Sequence, residues 1–236
     1  MVDIDSEHLP EGDEKVRAVR SMFDAIAPRY DLVNRVMTFR MDVGWRRRTV
    51  RELRLGPGSL VADLACGTGD LCRELVAQDL VPLGFDLSYG MLANARTEVP
   101  LTQADILRLP VPDASLDGAT CGFALRNLVE LRAFFDELAR AVRPGGRIAL
   151  LEVAEPPNRA LRWGHSIYFG KVVPKVGGLL SDAGAYQYLP RSVAYLPPPQ
   201  QMLDDLADAG FTYVRRQLLS TGIAQLVTAT RRTPDR

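Results

Sequence analysis

Apolar residues recur at three- to four-residue spacing through residues 16–54. Phe23, Ile26, Ala27, Tyr30 and Val33 share one face, which predicts amphipathic helix. A second helix is predicted over about 42–53, carrying WRRRTVREL, and LGPG at 55–58 signals the turn after it. From there short apolar runs alternate with helical patterns. Strands are predicted over 59–65, 81–88, 100–105, 116–125 and 147–156, with helices over 70–78, 91–98 and 129–142, the last ended by RPGG. This rhythm predicts a parallel sheet covered by helices on both faces. Residues 157–200 break it with Trp163, Tyr168, Phe169, Tyr186, Tyr188 and Tyr195, and read as a helical insertion packed over the strand ends. The pattern then resumes with a helix over 199–209 and the strands FTYVRRQLL and IAQLVTATR, which a tight turn joins into an antiparallel hairpin at one sheet edge. Residues 1–15 are polar, with Pro10 and Gly12, and read as a disordered tail. One domain is therefore expected over 16–236, with 16–54 as N-terminal helices and 157–200 as a cap over the substrate.

Composition narrows the partners. Lys+Arg and Asp+Glu both number 29, so bulk charge gives no case for a nucleic acid. The N-terminal third is locally basic, with Arg35, Arg40, Arg46, Arg47, Arg48, Arg51 and Arg54. Two readings stay open there: a solvated helix face, or peripheral contact with an anionic membrane. Cys66, Cys72 and Cys121 have no metal-like spacing, and an odd count suits a reducing cytoplasm. No metal site is expected. His8 falls in the tail, and His165 in the insertion reads as structural or exposed.

The chemistry concentrates at LACGTGD, residues 64–70, where the first strand should turn into a helix. Glycines there let a ligand approach the backbone, and a helix start offers unpaired N–H groups. The dinucleotide pattern is incomplete, because Cys72 stands where its third glycine belongs, and the Walker lysine is absent. A pyrophosphate is therefore disfavoured. Asp86 ends the second strand in FDLS, placed to accept hydrogens from ribose hydroxyls. Asp105 ends the third strand in QADI, placed for an adenine amino group. Together these features describe a site for adenosine without phosphates.

With those residues stand FDAIAPRYDLVNRVMTF, FDLSYGML, FALRN, RAVRPGGRIALLE, AYQYLPRSV and AGFTYVRRQLLSTGIA. The chain over roughly 20–227 resembles the ubiquinone/menaquinone biosynthesis C-methyltransferases. The resemblance implies a Rossmann-like class I methyltransferase fold: a mostly parallel seven-stranded sheet with an antiparallel edge hairpin. It implies S-adenosylmethionine as cofactor, and a prenylated hydroquinone such as demethylmenaquinol as the hydrophobic aromatic acceptor. By the family's pattern Thr68, Asp86, Asp105 and Ile106 touch the cofactor, and Asp63, Gly67 and Gly69 shape its loop. Leu87, Met91 and Gly122 are expected to line the same site. Three departures stand out. Gly122 replaces the family's usual serine, FALRN replaces FGLRN, and TGIAQLV lacks the histidine of GGIVALH. They favour a second reading, a related enzyme with another aromatic or polyketide-like acceptor. Against a third, a non-catalytic cofactor- or lipid-binding scaffold, stand the intact Gly67, Gly69, Asp86, Asp105, Arg126 and Asn127.

For ring methylation, loss of a phenolic proton makes the ring carbon nucleophilic. Arg126 is the expected cation for that phenolate, with Asn127 as hydrogen-bond partner and Tyr30 or water as carrier of the proton. AYQYLPRSV is a candidate contact for a homodimer, which the sequence leaves open.

Overall fold

The computed structural model describes residues 11–168, 170, 173, 188 and 191–234. Seven strands form one sheet: β1 (Leu60–Leu64), β2 (Val81–Asp86), β3 (Leu101–Gln103), β4 (Leu116–Gly122), β5 (Val142–Val153), β6 (Phe211–Leu219) and β7 (Ala224–Arg231). Their order is β3-β2-β1-β4-β5-β7-β6. β1 pairs in parallel with β2 on one side and β4 on the other, so strand order reverses beside β1. β7 runs antiparallel between β5 and the edge strand β6, which is the predicted hairpin.

The sheet is covered on both faces, and the period of β1 shows why. Ala62 and Leu64 point into the larger core, while Val61 joins a second core with Leu53, Leu71 and Leu75. Helix α6 (Leu131–Ala141) closes the larger core with Phe134, Phe135 and Leu138, all fully buried at helical spacing. Each such side chain contributes about 1.5–3 kcal/mol relative to an exposed one.

The N-terminal helical stretch divides into α1 (Gly12–Ile26), α2 (Tyr30–Met37) and α3 (Met41–Leu53). Pro28 sits in the tight turn after α1, and Phe39 and Arg40 adopt left-handed backbone after α2. α1 takes in residues 12–15, which the sequence assigned to the tail; residues 1–10 lie outside the described residues. Lys15 explains the earlier start. It is buried, donates to the Leu128 carbonyl at 2.8 Å and lies 3.5 Å from the centroid of the Tyr195 ring. At the other end of α1, Asp24 Oδ1 accepts from Ser88 Oγ at 2.6 Å and from the Gly90 N–H at 2.8 Å. A Cβ at Gly90 would lie 2.8 Å from Asp24 Cα, so only glycine permits this approach.

Helix α4 spans Asp70–Val76, and α5 is short, Tyr89–Ala93. The expected helix over 91–98 stops early because the following residues brace the glycine loop. Arg96 N–H donates to the Thr68 carbonyl at 3.1 Å, and Thr97 fills the space beside Gly69. Beyond β5, α7 (Arg159–Ile167) opens the insertion, and α8 (Pro199–Asp208) leads into β6. Phe169, Tyr186 and most of AYQYLPRSV lie outside the described residues, as do His8 and the side chain of His165.

Most of the arginines that make the N-terminal third basic are paired with carboxylates among the described residues, Arg40 and Arg51 excepted. Arg35 pairs with Asp31 and Asp70, Arg46 with Asp42 and Asp70, Arg47 with Glu74, and Arg48 and Arg54 with Glu52. No described helix is long and apolar enough to cross a membrane.

Candidate active site

Where strand order reverses, the carboxyl ends of β1, β2 and β4 open on a cavity of about 150 Å³. α1 lies across it, contributing Val16, Val19, Arg20 and Phe23. The predicted residues Asp63, Gly67, Thr68, Asp86, Leu87, Met91, Asp105, Ile106 and Gly122 all line it. Gly69 does not; it sits at φ 84° as the turn into α4.

Asp86 is buried at the tip of β2. Its Oδ2 accepts the Gly67 N–H at 2.7 Å and its Oδ1 the Ser88 N–H at 2.8 Å. Each oxygen keeps a second lone pair, which suits a pair of ribose hydroxyls. Burial pushes its pKa up, against the pull of those N–H bonds. Gly67 has φ 56°, and a Cβ there would lie 2.9 Å from Met91 Cε. Thr68 Oγ1 donates to Asp31 at 2.5 Å, which fixes the loop to α2. Asp105 is exposed at the rim, while Ile106 beside it is buried. A Cβ at Gly122 would meet the flexible end of Leu71 at 2.9 Å, so Leu71 occupies space that a side chain at 122 would need.

Asp63 forms the floor. It is fully buried and accepts from Thr120 Oγ1 at 2.9 Å and Cys72 Sγ at 3.2 Å. Burial pushes its pKa up to about 7, against those two bonds. The hydrogen bond to Cys66 and burial push the Cys72 thiol up, and burial pushes Cys121 well up. Both stay protonated and are poor nucleophiles.

A second cavity, about 380 Å³, adjoins the first. Phe23, Tyr30 and Phe123 line both and form the wall between them. The second cavity is mostly apolar, with Met37, Trp45, Tyr168 and Ile223 among its lining, and its polar groups include Asn34, Thr38 and Arg126. The three expected catalytic residues thus divide: Asn127 lines the first cavity, Arg126 the second, and Tyr30 both.

Arg126, the expected cation, is itself paired. It is buried, and its Nη1 pairs with Glu152 and donates to the Phe123 carbonyl at 2.7 Å. Its Nε donates to Ser192 Oγ at 3.2 Å. Glu152 already matches its charge, leaving Nη2 as the nitrogen without a hydrogen bond among the described residues. Asn127 Oδ1 accepts from Tyr188 Oη at 3.4 Å. Burial pushes the Tyr30 phenol up, partly offset by Arg46 and Arg126. Tyr30 therefore keeps its proton at neutral pH, which weighs against the role of proton carrier that the sequence suggested.

Sequence reasoning missed Arg46, Asp31 and Phe123. Arg46 lines the first cavity, bonded to Asp42 and 3.4 Å from Asp70. Its four-residue spacing from Asp42 within one helix was a readable signal. Asp31 meets Thr68 across 37 positions, which no local pattern reveals. Phe123 stands at φ 61°, a strained conformation for a bulky side chain, where β4 meets both cavities.

The three departures fall in different places. Gly122 and Ala124 border the first cavity. Val227, where the family's histidine would stand, is buried in β7 opposite Leu150 in the sheet core. Val227 lines neither cavity. Thr221 and Ile223 do line the second.

Comparison with known proteins gives concordant matches. The model of the ubiE/COQ5 methyltransferase family matches residues 10–231. Demethylmenaquinone methyltransferase of Deinococcus radiodurans is 39% identical, over 91% of this chain and 94% of that protein. Its Thermus thermophilus counterpart is 41% identical, over 87% and 97%. The [4+2]-cyclase SpnF superposes with a TM-score of 0.68 at 15% identity, covering 95% of this chain and 97% of that one. Haemonchus contortus phosphoethanolamine N-methyltransferase 2, solved with S-adenosyl-L-methionine, gives 0.56 at 14% identity, covering 76% and 50%. These two structures carry the fold alone.

Proposed function

The chain belongs to the ubiE/COQ5 methyltransferase family, and from that premise we propose that it methylates a ring carbon of demethylmenaquinol, a prenylated hydroquinone, using S-adenosylmethionine. It is a methyltransferase of quinone biosynthesis, as its relatives' names state of them. The observation that carries the acceptor reading is the pair of adjoining cavities, one edged by the carboxylates Asp63, Asp86 and Asp105 and the other mostly apolar, with Tyr30 and Phe123 between them.

The first cavity fits the donor. Asp86 has lone pairs to spare for ribose hydroxyls, Gly67 leaves room beside Met91, and Asp105 stands at the rim for an adenine amino group. When bound, S-adenosylmethionine supplies a methyl group already activated on a sulfonium. The chain's task is then alignment and acceptor activation. The apolar cavity holds the acceptor and keeps water away from the ring. An unperturbed phenol titrates near ~10, so a hydrogen bond to the forming phenolate favours reaction at neutral pH. Arg126 Nη2 is assigned that bond, delivered by a guanidinium whose charge Glu152 balances. Tyr30, as a donor at the boundary, orients the ring. The phenolic proton leaves to solvent at the cavity's mouth, and after methyl transfer the hydrogen on the methylated carbon passes to the phenol oxygen, restoring the aromatic ring. The expected assay result is label from S-adenosylmethionine on the ring carbon of a reduced demethylmenaquinone analogue, read by mass spectrometry. Tight cofactor binding without ring methylation would refute this acceptor.

Asp63 should give the fold a pH signature. Its folded pKa is about 7, against roughly 3.9 when unfolded. Between those values the folded chain retains a proton that the unfolded chain has lost. Stability therefore falls as pH rises from about 4 to about 7 and levels off above. The effect is on the order of 4 kcal/mol. Denaturant titrations of wild type and Asp63→Asn across this range should show the variant with a flatter profile. Equal slopes would mean that Asp63 titrates normally.

A further inference from the structure

We propose that the rim of the apolar cavity, formed by α2, the turn after it and α7, is a docking surface for an anionic lipid bilayer. The proposal rests on the acceptor reading above, since a prenylated quinol resides in a membrane and must be drawn from it.

Twelve large apolar side chains are exposed among the described residues. Six of them, Leu32, Val36, Phe39, Leu161, Trp163 and Ile167, belong to α2, its following turn and α7. The rest of the described surface thus carries such groups more thinly. Leu32 and Val36 lie one turn apart, on the side of α2 opposite the cavity-lining Tyr30, Asn34 and Met37. Phe39 is 71% exposed yet lines the cavity, and Leu161 is 46% exposed and lines it too. Apolar surface therefore continues from inside the cavity to the outside of the molecule. The two elements are joined at this point. The Phe39 and Tyr168 rings lie 5.8 Å apart, and Tyr168 Oη donates to the Met37 carbonyl at 2.7 Å.

Charge selects the occupant. Arg35, Arg46, Arg47, Arg48 and Arg54 are matched by carboxylates, as described above. At the rim, Arg40 and Arg159 are exposed and have no carboxylate partner among the described residues. Arg162 is exposed and spends its bonds on the carbonyls of Pro156 and Pro157. Against these three stands one exposed carboxylate in the same stretch, Glu155. Aromatic and aliphatic groups interleaved with unmatched arginines suit insertion at the headgroup boundary of an anionic leaflet. A protein partner's apolar face would gain nothing from the unmatched charge.

The test is vesicle flotation of the full chain, with phosphatidylcholine vesicles alone and with phosphatidylglycerol included. Wild type should float with the anionic vesicles and far less with the neutral ones, and added salt should weaken it. Trp163→Ser with Arg159→Gln should lower the vesicle-bound fraction about tenfold. Neither residue lines the cavities, so turnover of a short-chain, water-soluble quinol should stay within about twofold of wild type. Turnover of a long-chain quinol held in vesicles should fall with binding. Wild type that stays off anionic vesicles, or a variant that floats like wild type, would overturn the proposal. So would equal binding to both vesicle types. If wild type floats and the variant does not, yet neither methylates the short-chain quinol, the docking surface stands and the acceptor reading falls.

Discussion

Asp86→Ala is expected to raise the dissociation constant for S-adenosylmethionine by about 100- to 1,000-fold, a loss of roughly 3–4 kcal/mol. Two effects combine. The carboxylate is the assigned acceptor for both ribose hydroxyls, and hydrogen bonds to a charged group contribute about 1.5–3 kcal/mol each. The same carboxylate also holds the N–H groups of Gly67 and Ser88, so alanine frees the glycine loop and the start of α5 together. Asp86→Asn separates the two. It keeps the size and one acceptor oxygen, but its amide would oppose one of the two N–H donors. Its affinity should fall between wild type and alanine. Calorimetric titration with the cofactor measures both variants. An alanine variant that binds within about threefold of wild type would remove Asp86 from the cofactor's contacts.

Arg126→Ala should abolish ring methylation and also destabilise the fold, by about 3–5 kcal/mol. The second effect follows from burial: Glu152 is fully buried and would lose its cation. Loss of turnover in that variant alone is therefore ambiguous. The double variant Arg126→Met with Glu152→Leu removes both charges and should recover most of the stability, since apolar replacement of a buried pair is often neutral or better. Turnover should not recover, because nothing then donates to the forming phenolate. Denaturant melts and single-turnover rates on the two proteins make the comparison. A double variant that regains activity would reduce Arg126 to a structural role.

The fold was readable where periodicity speaks. β6 and β7 matched their runs almost residue for residue, and α6 carried its buried face at regular spacing. The adenosine-facing residues were readable because a parallel sheet delivers strand ends to one place: Asp63, Asp86 and Gly122 lie far apart in sequence but at successive carboxyl ends. The failures share one cause, contacts made across long sequence separations. Lys15 looked like part of a charged tail, because its partners Leu128 and Tyr195 lie more than a hundred positions away. Arg126 was expected as a cation, but its pairing with Glu152 was not, because Glu152 enters from another strand. The place of the missing histidine was not readable either: Val227 is buried in β7 and lines neither cavity.

The attachment of α1 at both ends has a consequence for the timing of the reaction. The helix crosses the donor's cavity, with Lys15 fastened to Leu128 and Tyr195 and Asp24 fastened to Ser88 and Gly90. If the donor is exchanged beneath that helix, one of these fastenings must open for each exchange. Exchange of the donor would then run on a clock separate from the chemistry, set by how firmly the two ends of the helix are held. Changes that tighten either fastening would lengthen the donor's residence, although they touch neither the ring nor the methyl group.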